Sequence, residues 1–338
     1  MILSYQMVLS LSIIIPTLNS GKVLEKCLSS ISSQNYPKNK IEIIVTDGGS
    51  TDETLDIAKK YNAKIFPNSL KTGEAGKAVG VKKATGELVV FIDSDNILPD
   101  KNWLKKMITP FVDQEIIGSE PWEYTYRKSD PWLTRYFAML GMNDPICLFI
   151  GNYDRISVLT GKWTNLKFVT ENKKDYLKIK FDREPLPTIG ANGTIFRREI
   201  LKNIGDYFFD IDEIIKLLRE YKIIYFAKAK TGIIHTFVER DVLKFFRKQL
   251  RRISDFSYHK AERQTNWEGF LPKIIYFQLQ CVLIFPIFYQ TIKGYVRKPD
   301  FAWIFHPVAC YSTLFIYLYG YIKGKISPAQ TNRANWKQ

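Results

Sequence analysis

Three short runs in the first hundred residues constrain this chain more than any other feature. "LSIIIP" (11–16), "IEIIVTD" (41–47) and "VVFID" (89–93) are apolar almost throughout and rich in β-branched side chains. They lack the alternation of a strand that shows one face to water. A strand apolar on both faces must be covered on both, as in a parallel sheet flanked by helices. The intervening segments supply those helices. Val23, Leu24, Cys27, Leu28 and Ile31 recur at helical spacing, and "STDE" (50–53) has the form of a capping box, with Ser50 as N-cap of a helix over 51–61 and Glu53 three residues in. Ile65 and Phe66 mark a strand between that helix and the run at 89–93. Strand–helix–strand units with right-handed crossovers build a doubly wound, Rossmann-like α/β sheet, which binds ligands beyond the carboxyl ends of its strands.

That rule gathers "PTLNS", "DGGSTD", the loop around Gly73–Lys77 and "DSDN" at one edge. Gly48 and Gly49 let the backbone turn sharply there. Residues two apart in an extended segment project to the same side, so Asp93 and Asp95 face one ligand together. Two such carboxylates repel each other unless a cation joins them, and oxygen ligands of this kind suit Mg²⁺ or Mn²⁺ held with substrate phosphates. The chain has neither G-x-G-x-x-G after its first strand nor G-x-x-x-x-G-K-[ST] anywhere, which removes the support for dinucleotide-binding and P-loop chemistry.

The formal net charge of +15 predicts an anionic partner. Four scattered cysteines form no zinc or disulfide pattern and fit a reducing compartment. Much of the basic charge precedes two apolar stretches, 274–292 and 301–322, each near the ~20 residues that cross a bilayer. In "DVLKFFRKQLRRISDF", Val242, Phe246, Leu250, Ile253 and Phe256 share helical spacing, with basic residues mostly elsewhere, as on a helix lying flat on an anionic membrane. The expected partners are thus membrane lipids rather than nucleic acid, for which no motif is present. The excess of Lys and Arg at both ends of the apolar pair places those ends in the cytoplasm if the pair spans. A hairpin dipping into one leaflet is the alternative.

The ordered motifs "SIIIPTLNSGKVLEKCLSSISSQNYP", "IEIIVTDGGSTDETLDIA" and "GELVVFIDSDN" resemble the GT-A fold of family 2 glycosyltransferases, with high specificity over residues 11–111 and more loosely to about 256. The resemblance implies an inverting hexosyl or N-acetylhexosaminyl transferase that uses Mg²⁺ or Mn²⁺ and a UDP- or GDP-sugar. It assigns the donor to Pro16, Thr17, Asn19, Asp47, Lys77, Asp93, Ser94 and Asp95, and the metal to Asp95, Asp93 and His235. "FDID" matches the family's acidic motif, with Phe209 in place of the usual Glu. The base is Asp210 or Asp212. "GANGT" supplies acceptor-side Gly190, Ala191, Asn192 and Gly193. Gln249 and Arg252 match a Q-x-x-R-W signature whose Trp is Ile253 here.

The domain division expected is a nucleotide-sugar half (1–115), an acceptor half carrying the acid (116–238), a basic amphipathic interface helix (239–265), a C-terminal hydrophobic helical hairpin in the membrane (270–325) and a polar tail (326–338). The acceptor expected is a polyprenyl-linked sugar at the cytoplasmic face of the cell membrane. Transfer directly onto polyprenyl phosphate is the alternative, and a non-catalytic nucleotide-sugar-binding scaffold is a third.

Overall fold

The computed structural model describes residues 8–190, 192–202, 204–260, 263–264 and 268–326. Ala191 and the tail beyond Ile326 lie outside these residues. The first half is the expected α/β unit. Strands β1 (Leu11–Thr17), β2 (Ile41–Asp47), β3 (Lys64–Pro67) and β4 (Leu88–Phe91) lie parallel in the order β3-β2-β1-β4. The direction of winding reverses between β1 and β4, so a crevice opens at their carboxyl ends.

Alternate residues of each strand feed opposite layers. Ile13, Ile15 and Val90 pack with Leu24, Cys27 and Leu28 of α1 (Gly21–Ser32), Ala58 of α2 (Thr54–Lys60) and Leu104 of α4 (Trp103–Ile108). Ile14, Val89 and Phe91 pack on the other face against Ala78 and Val81 of α3 (Gly73–Lys83) and Ile214 of α7 (Asp210–Tyr221). Gly80 lets α3 sit close, because a Cβ there would overlap the Ile14 side chain.

Helix α2 starts at Thr54, and the capping box expected at 50–53 does not form. The Ser50 amide and hydroxyl are both taken by Asp47, and Asp52 accepts the Thr54 amide at 3.0 Å instead.

The second half extends the sheet with mixed pairing. From β4 the order continues β9 (Thr194–Arg197), β6 (Ile116–Tyr124), β10 (Ile224–His235), β8 (Tyr176–Phe181) and β7 (Val169–Asn172), with β5 (Asn96–Ile97) on β10. β9 runs antiparallel to both β4 and β6. Trp103 is fully buried between the halves and donates its indole N–H to the Gly232 carbonyl at 2.7 Å. Trp103→Ala is expected to cost about 3–5 kcal/mol of unfolding free energy, measured by denaturant titration, since it opens a cavity and orphans that carbonyl. A loss below about 1 kcal/mol would contradict this placement.

The C-terminal third departs from expectation. A second core joins α5 (Trp132–Leu140) and α6 (Ile146–Ile150) to α8 (Val242–Tyr258), α9 (Leu271–Leu283), α10 (Phe285–Arg297) and α11 (Phe305–Ile326). The predicted first span, 274–292, is broken at Ile284 (φ 61°), where α9 and α10 meet at 89°. Its loop is docked on the globular body. Arg297 donates to the Val158 and Leu159 carbonyls at 2.9 and 2.6 Å, and Asp300 accepts from Arg135 at 2.7 Å.

Residues 301–326 are long and apolar enough to cross a membrane. Both ends of that helical stretch are nonetheless tied to the same body, through Trp303 and Phe305 on Tyr136 and through Gly320 against Ile253 of α8. The apolar pair expected to form a hairpin is thus a helix pair bent at Ile284, followed by a helix long enough to cross a membrane, all packed on the globular body. Since Phe277, Trp303 and Phe305 complete the second core, a chain ending near 265 would uncover Phe137 and Phe149.

Candidate active site

β1 and β4 deliver "PTLNS" and "DSDN" to one crevice, and three long-range pairings complete it. β5 lies antiparallel to the end of β10, with His235 opposite Asn96, and the Thr236 amide donates to the Asp95 carbonyl at 3.0 Å. That register sets His235 Nε2 3.2 Å from Asp95 Oδ1. On the next strand over, the Gly193 amide binds the Phe91 carbonyl at 3.0 Å, and Asn96 Nδ2 donates to Asn192 Oδ1 at 3.0 Å. Finally, Phe208 packs on Phe91 (ring centroids 4.9 Å), seating the amino end of α7 beside α3. Lys77 Nζ then meets the Asp210 carboxylate at 2.7 and 3.0 Å.

Ligand atoms of Asp93, Asp95 and His235 lie within 4.8 Å of one another. Burial works against charge on both acids. For Asp95, His235 and Lys248 outweigh burial and hold its carboxyl below the usual range. Asp93 stands above that range, because burial and the Asp95 charge exceed the help of Lys77. Such a like-charged pair, one half of it held protonated-prone, is what a divalent cation relieves. Two carboxylates with one imidazole fit Mn²⁺ better than Mg²⁺, which prefers oxygen ligands alone. Lys248 Nζ, 3.5 Å from Asp95 Oδ2 and 4.1 Å from the Phe237 ring centroid, supplies positive charge at the same point.

Burial pushes Asp210 up to about 6, with Lys77 opposing. Lys77 itself is pulled down by burial, but Asp210, Glu74 and Asp93 more than offset this and leave it above the usual lysine value.

These groups open on one cavity of about 1200 Å³. Of the donor residues expected, Pro16, Thr17, Asn19, Lys77, Asp93, Ser94 and Asp95 line it. Asp47 does not. Its two oxygens accept from Thr17, Gly49 and Ser50, so it holds the two loops together from behind. Asp210 lines the cavity, whereas Asp212 is buried and paired with Arg263 at 2.7 Å. Phe209 lies under that arginine, its ring centroid 4.5 Å from the guanidinium.

Gly190, Asn192 and Arg252 reach the cavity, while Gly193 is packed against Ile233, Trp103 and Pro121. Gln249 is a buried tie, hydrogen-bonded to Thr313 at 2.9 Å, to Asp144 at 3.3 Å and to Arg252. Both are corrected from wall to support.

Helix α8 brings more to the cavity than the acceptor-side Arg252. Lys244, Lys248 and Arg251, read from the sequence as part of a membrane-facing basic set, line it too, while Ile253 of the same helix packs against Gly320 of α11. The spacing of the basic residues, four, three and one, was visible as one helical stripe; what that stripe faced was not. Further along, Ile253, Phe256, Leu271, Ile274, Leu314 and Leu318 make an apolar continuation of the same cavity. Residues 142–155 also contribute, through Asn143, Asn152 and Asp154.

A sequence model of the family described as "Glycosyl transferase family 2" matches residues 12–205, more than half of the chain. "Glycosyltransferase AglE" of Haloferax volcanii is 30% identical over 39% of this chain and 45% of its own length. A Methanococcus voltae protein named as a dolichyl N-acetyl-α-D-glucosaminyl phosphate 3-β-D-2,3-diacetamido-2,3-dideoxy-β-D-glucuronosyltransferase is 36% identical over 33% of this chain and 36% of its own. The chain spans less than half the length of either relative. Among solved structures, the mannosyltransferase PcManGT from Pyrobaculum calidifontis, in complex with GDP-Man and Mn²⁺, superposes with a TM-score of 0.52 at 14% identity over 93% of this chain and 88% of that one.

Proposed function

We propose, from the premise that this chain belongs to glycosyl transferase family 2, that it transfers a sugar, with inversion, from a UDP- or GDP-sugar to a polyprenyl-linked sugar. The observation that carries this reading is the continuity of one cavity. It runs from the Asp93–Asp95–His235 cluster, past the basic stripe of α8, into the apolar groove between α8, α9 and α11. A nucleotide diphosphate fits the first part, and a lipid diphosphate with its chain fits the rest. The Methanococcus voltae relative, whose name includes a dolichyl-linked sugar phosphate, and the solved mannosyltransferase, in complex with GDP-Man and Mn²⁺, agree with this chemical class.

In this mechanism Asp210 accepts the proton of the attacking hydroxyl, which must come within hydrogen-bond reach of its free oxygen edge. Lys77 keeps Asp210 in place and adds positive charge near Asp93. Asp93, Asp95 and His235 would hold Mn²⁺, which when bound neutralises charge gathering on the departing diphosphate. Lys248 adds to the same field from α8.

Membrane attachment follows from the surface of the C-terminal helices. Val282, Leu283, Ile284 and Phe285 at the α9–α10 bend are exposed, as are Ile292, Val296 and Ile304. A contiguous apolar apex of this kind marks a membrane-contacting surface. With its loop docked, the chain enters one leaflet from the cytoplasmic face.

The basic stripe also favours a second reading, direct transfer onto polyprenyl phosphate, whose anionic oxygen needs little base. Full-length protein, Mn²⁺ and a panel of nucleotide sugars decide between them, with farnesyl phosphate and farnesyl diphosphate-N-acetylglucosamine as acceptors. Consumption of one donor with product on the glycosylated lipid is expected. Product on farnesyl phosphate alone selects the second reading, and a protein that neither binds nor consumes any donor is a scaffold.

A further inference from the structure

The segment between β6 and β9 contributes to the cavity a group of side chains that the transfer chemistry does not use. Asn152, 3% exposed, lines the cavity, and its Oδ1 has no hydrogen-bond partner among the described residues. Asp154, 6% exposed, lines it too. Arg155 holds Asp154 Oδ2, while among the described residues Oδ1 receives only the Thr188 hydroxyl at 3.5 Å, the limit of a hydrogen bond.

The chain spends an unusual amount of buried charge on fixing these groups. Arg155, Glu120 and Lys228 are each fully buried. Glu120 bridges the two cations, and Lys228 also donates to the Asp154 carbonyl. Arg155 reaches on to the Asn192 carbonyl at 3.1 Å, and the Thr188 amide binds the Asn152 carbonyl at 2.7 Å. Buried ion networks are poor sources of net stability, but they fix geometry. Here they lock the Asp154 carboxylate and the backbone of 152–155 into the cavity wall.

What such a wall can bind follows from its free valences. Asn152 Oδ1 and Asp154 Oδ1 are acceptors and require O–H or N–H donors from a ligand. Sugar hydroxyls supply them. A phosphate offers only acceptors near neutral pH and would meet the Asp154 charge. We propose that Asn152, Asp154 and Thr188 form a hydroxyl-recognition subsite for the terminal sugar of the acceptor. This rests on the glycosyl-transfer reading above and goes beyond it, because it makes a carbohydrate, not a bare lipid phosphate, the group presented to Asp210.

The test is calorimetric binding to full-length protein with Mn²⁺, using farnesyl diphosphate-linked glucose, galactose, mannose and N-acetylglucosamine, with farnesyl phosphate as the bare probe and UDP and GDP as donor-side probes. The wild type is expected to bind one glycosylated probe more tightly than farnesyl phosphate. Asn152→Ala and Thr188→Val should each weaken that probe about 3–10-fold, the worth of one hydrogen bond. Farnesyl phosphate and nucleotide binding should not change. The subsite is overturned if the wild type does not distinguish glycosylated from bare probes, or if the variants weaken both equally or neither. If the wild type binds neither UDP nor GDP with Mn²⁺, the glycosyl-transfer reading itself falls. Asp154→Asn, which keeps shape and removes the charge, should admit farnesyl phosphate more tightly; no gain there also counts against the subsite.

Discussion

Asp95→Ala is expected to remove Mn²⁺-dependent nucleotide binding and to lower transfer by about 10³-fold or more, the rate equivalent of several kcal/mol of lost charge stabilisation. The residue is where three parts of the fold meet: β4 leads into it, His235 from β10 faces one oxygen, and Lys248 from α8 faces the other. Without it, His235 and Lys248 confront each other across an empty position, and Asp93 alone cannot hold a divalent ion. The fold should survive, since the side chain sits at the open mouth of the crevice and Asn96 still ties the loop to Asn192. Calorimetry with UDP and GDP, with and without Mn²⁺, beside circular dichroism, checks both halves of this statement. Unchanged metal-dependent affinity in a folded variant would remove Asp95 from the site.

Asp210→Asn should leave nucleotide affinity nearly intact while transfer falls ~10²–10⁴-fold, or about 3–5 kcal/mol of transition-state stabilisation. The amide keeps a contact for Lys77 but cannot take a proton. Lys77 remains charged beside Glu74 and Asp93. The pH profile supplies an independent reading. Because burial holds the Asp210 carboxyl up at about 6, its base form is lost as pH falls through that value. The rate should drop tenfold per pH unit below 6 and level above it, and this limb should vanish in the Asn variant. Asp212→Asn should affect stability, through the loss of its ion pair with Arg263, more than it affects the rate. A profile flat from pH 5 to 8 in the wild type would point to an acceptor that is already an anion.

Much of this site was legible because its first half is local. Apolar runs too short for helices and without alternation allow one arrangement, and the residues that follow each run must then cluster. Pro16, Thr17, Asn19, Asp93 and Asp95 fall into that class. The remainder depends on pairings across long stretches of chain. Nothing near His235 announces that β10 will lay it opposite Asn96, and only the resemblance to a family placed it there. That Asp210 lines the cavity while Asp212 pairs with Arg263 follows from the packing of Phe208 on Phe91 and from that ion pair, neither visible as a local pattern.

The periodicity of α8 set Val242, Phe246, Leu250, Ile253 and Phe256 on one face, yet its buried side chains are Phe245 and Gln249, and Ile253 and Phe256 line the cavity with the basic residues. An amphipathic pattern says that two faces differ and is silent on what each meets, so the cavity lined by Lys244, Lys248 and Arg251 was not legible in it. The bend at Ile284 had one local signal, Pro286. Its missing N–H would break the ladder of a continuous helix, whereas the first turn of a new helix, where Pro286 sits, tolerates it.

The docking of residues 297–300 on the globular body has a consequence for what such a molecule can accomplish. Lys298 lies over the Tyr126 ring at 3.7 Å and Asp300 accepts from Tyr126 at 2.8 Å, so the segment that links the apolar helices is held beside the sheet that holds the donor crevice. On the reading proposed above, this docking fixes the distance between the apolar helices and the crevice, so a lipid-borne acceptor would meet the donor at one set depth from the membrane surface rather than along a flexible tether.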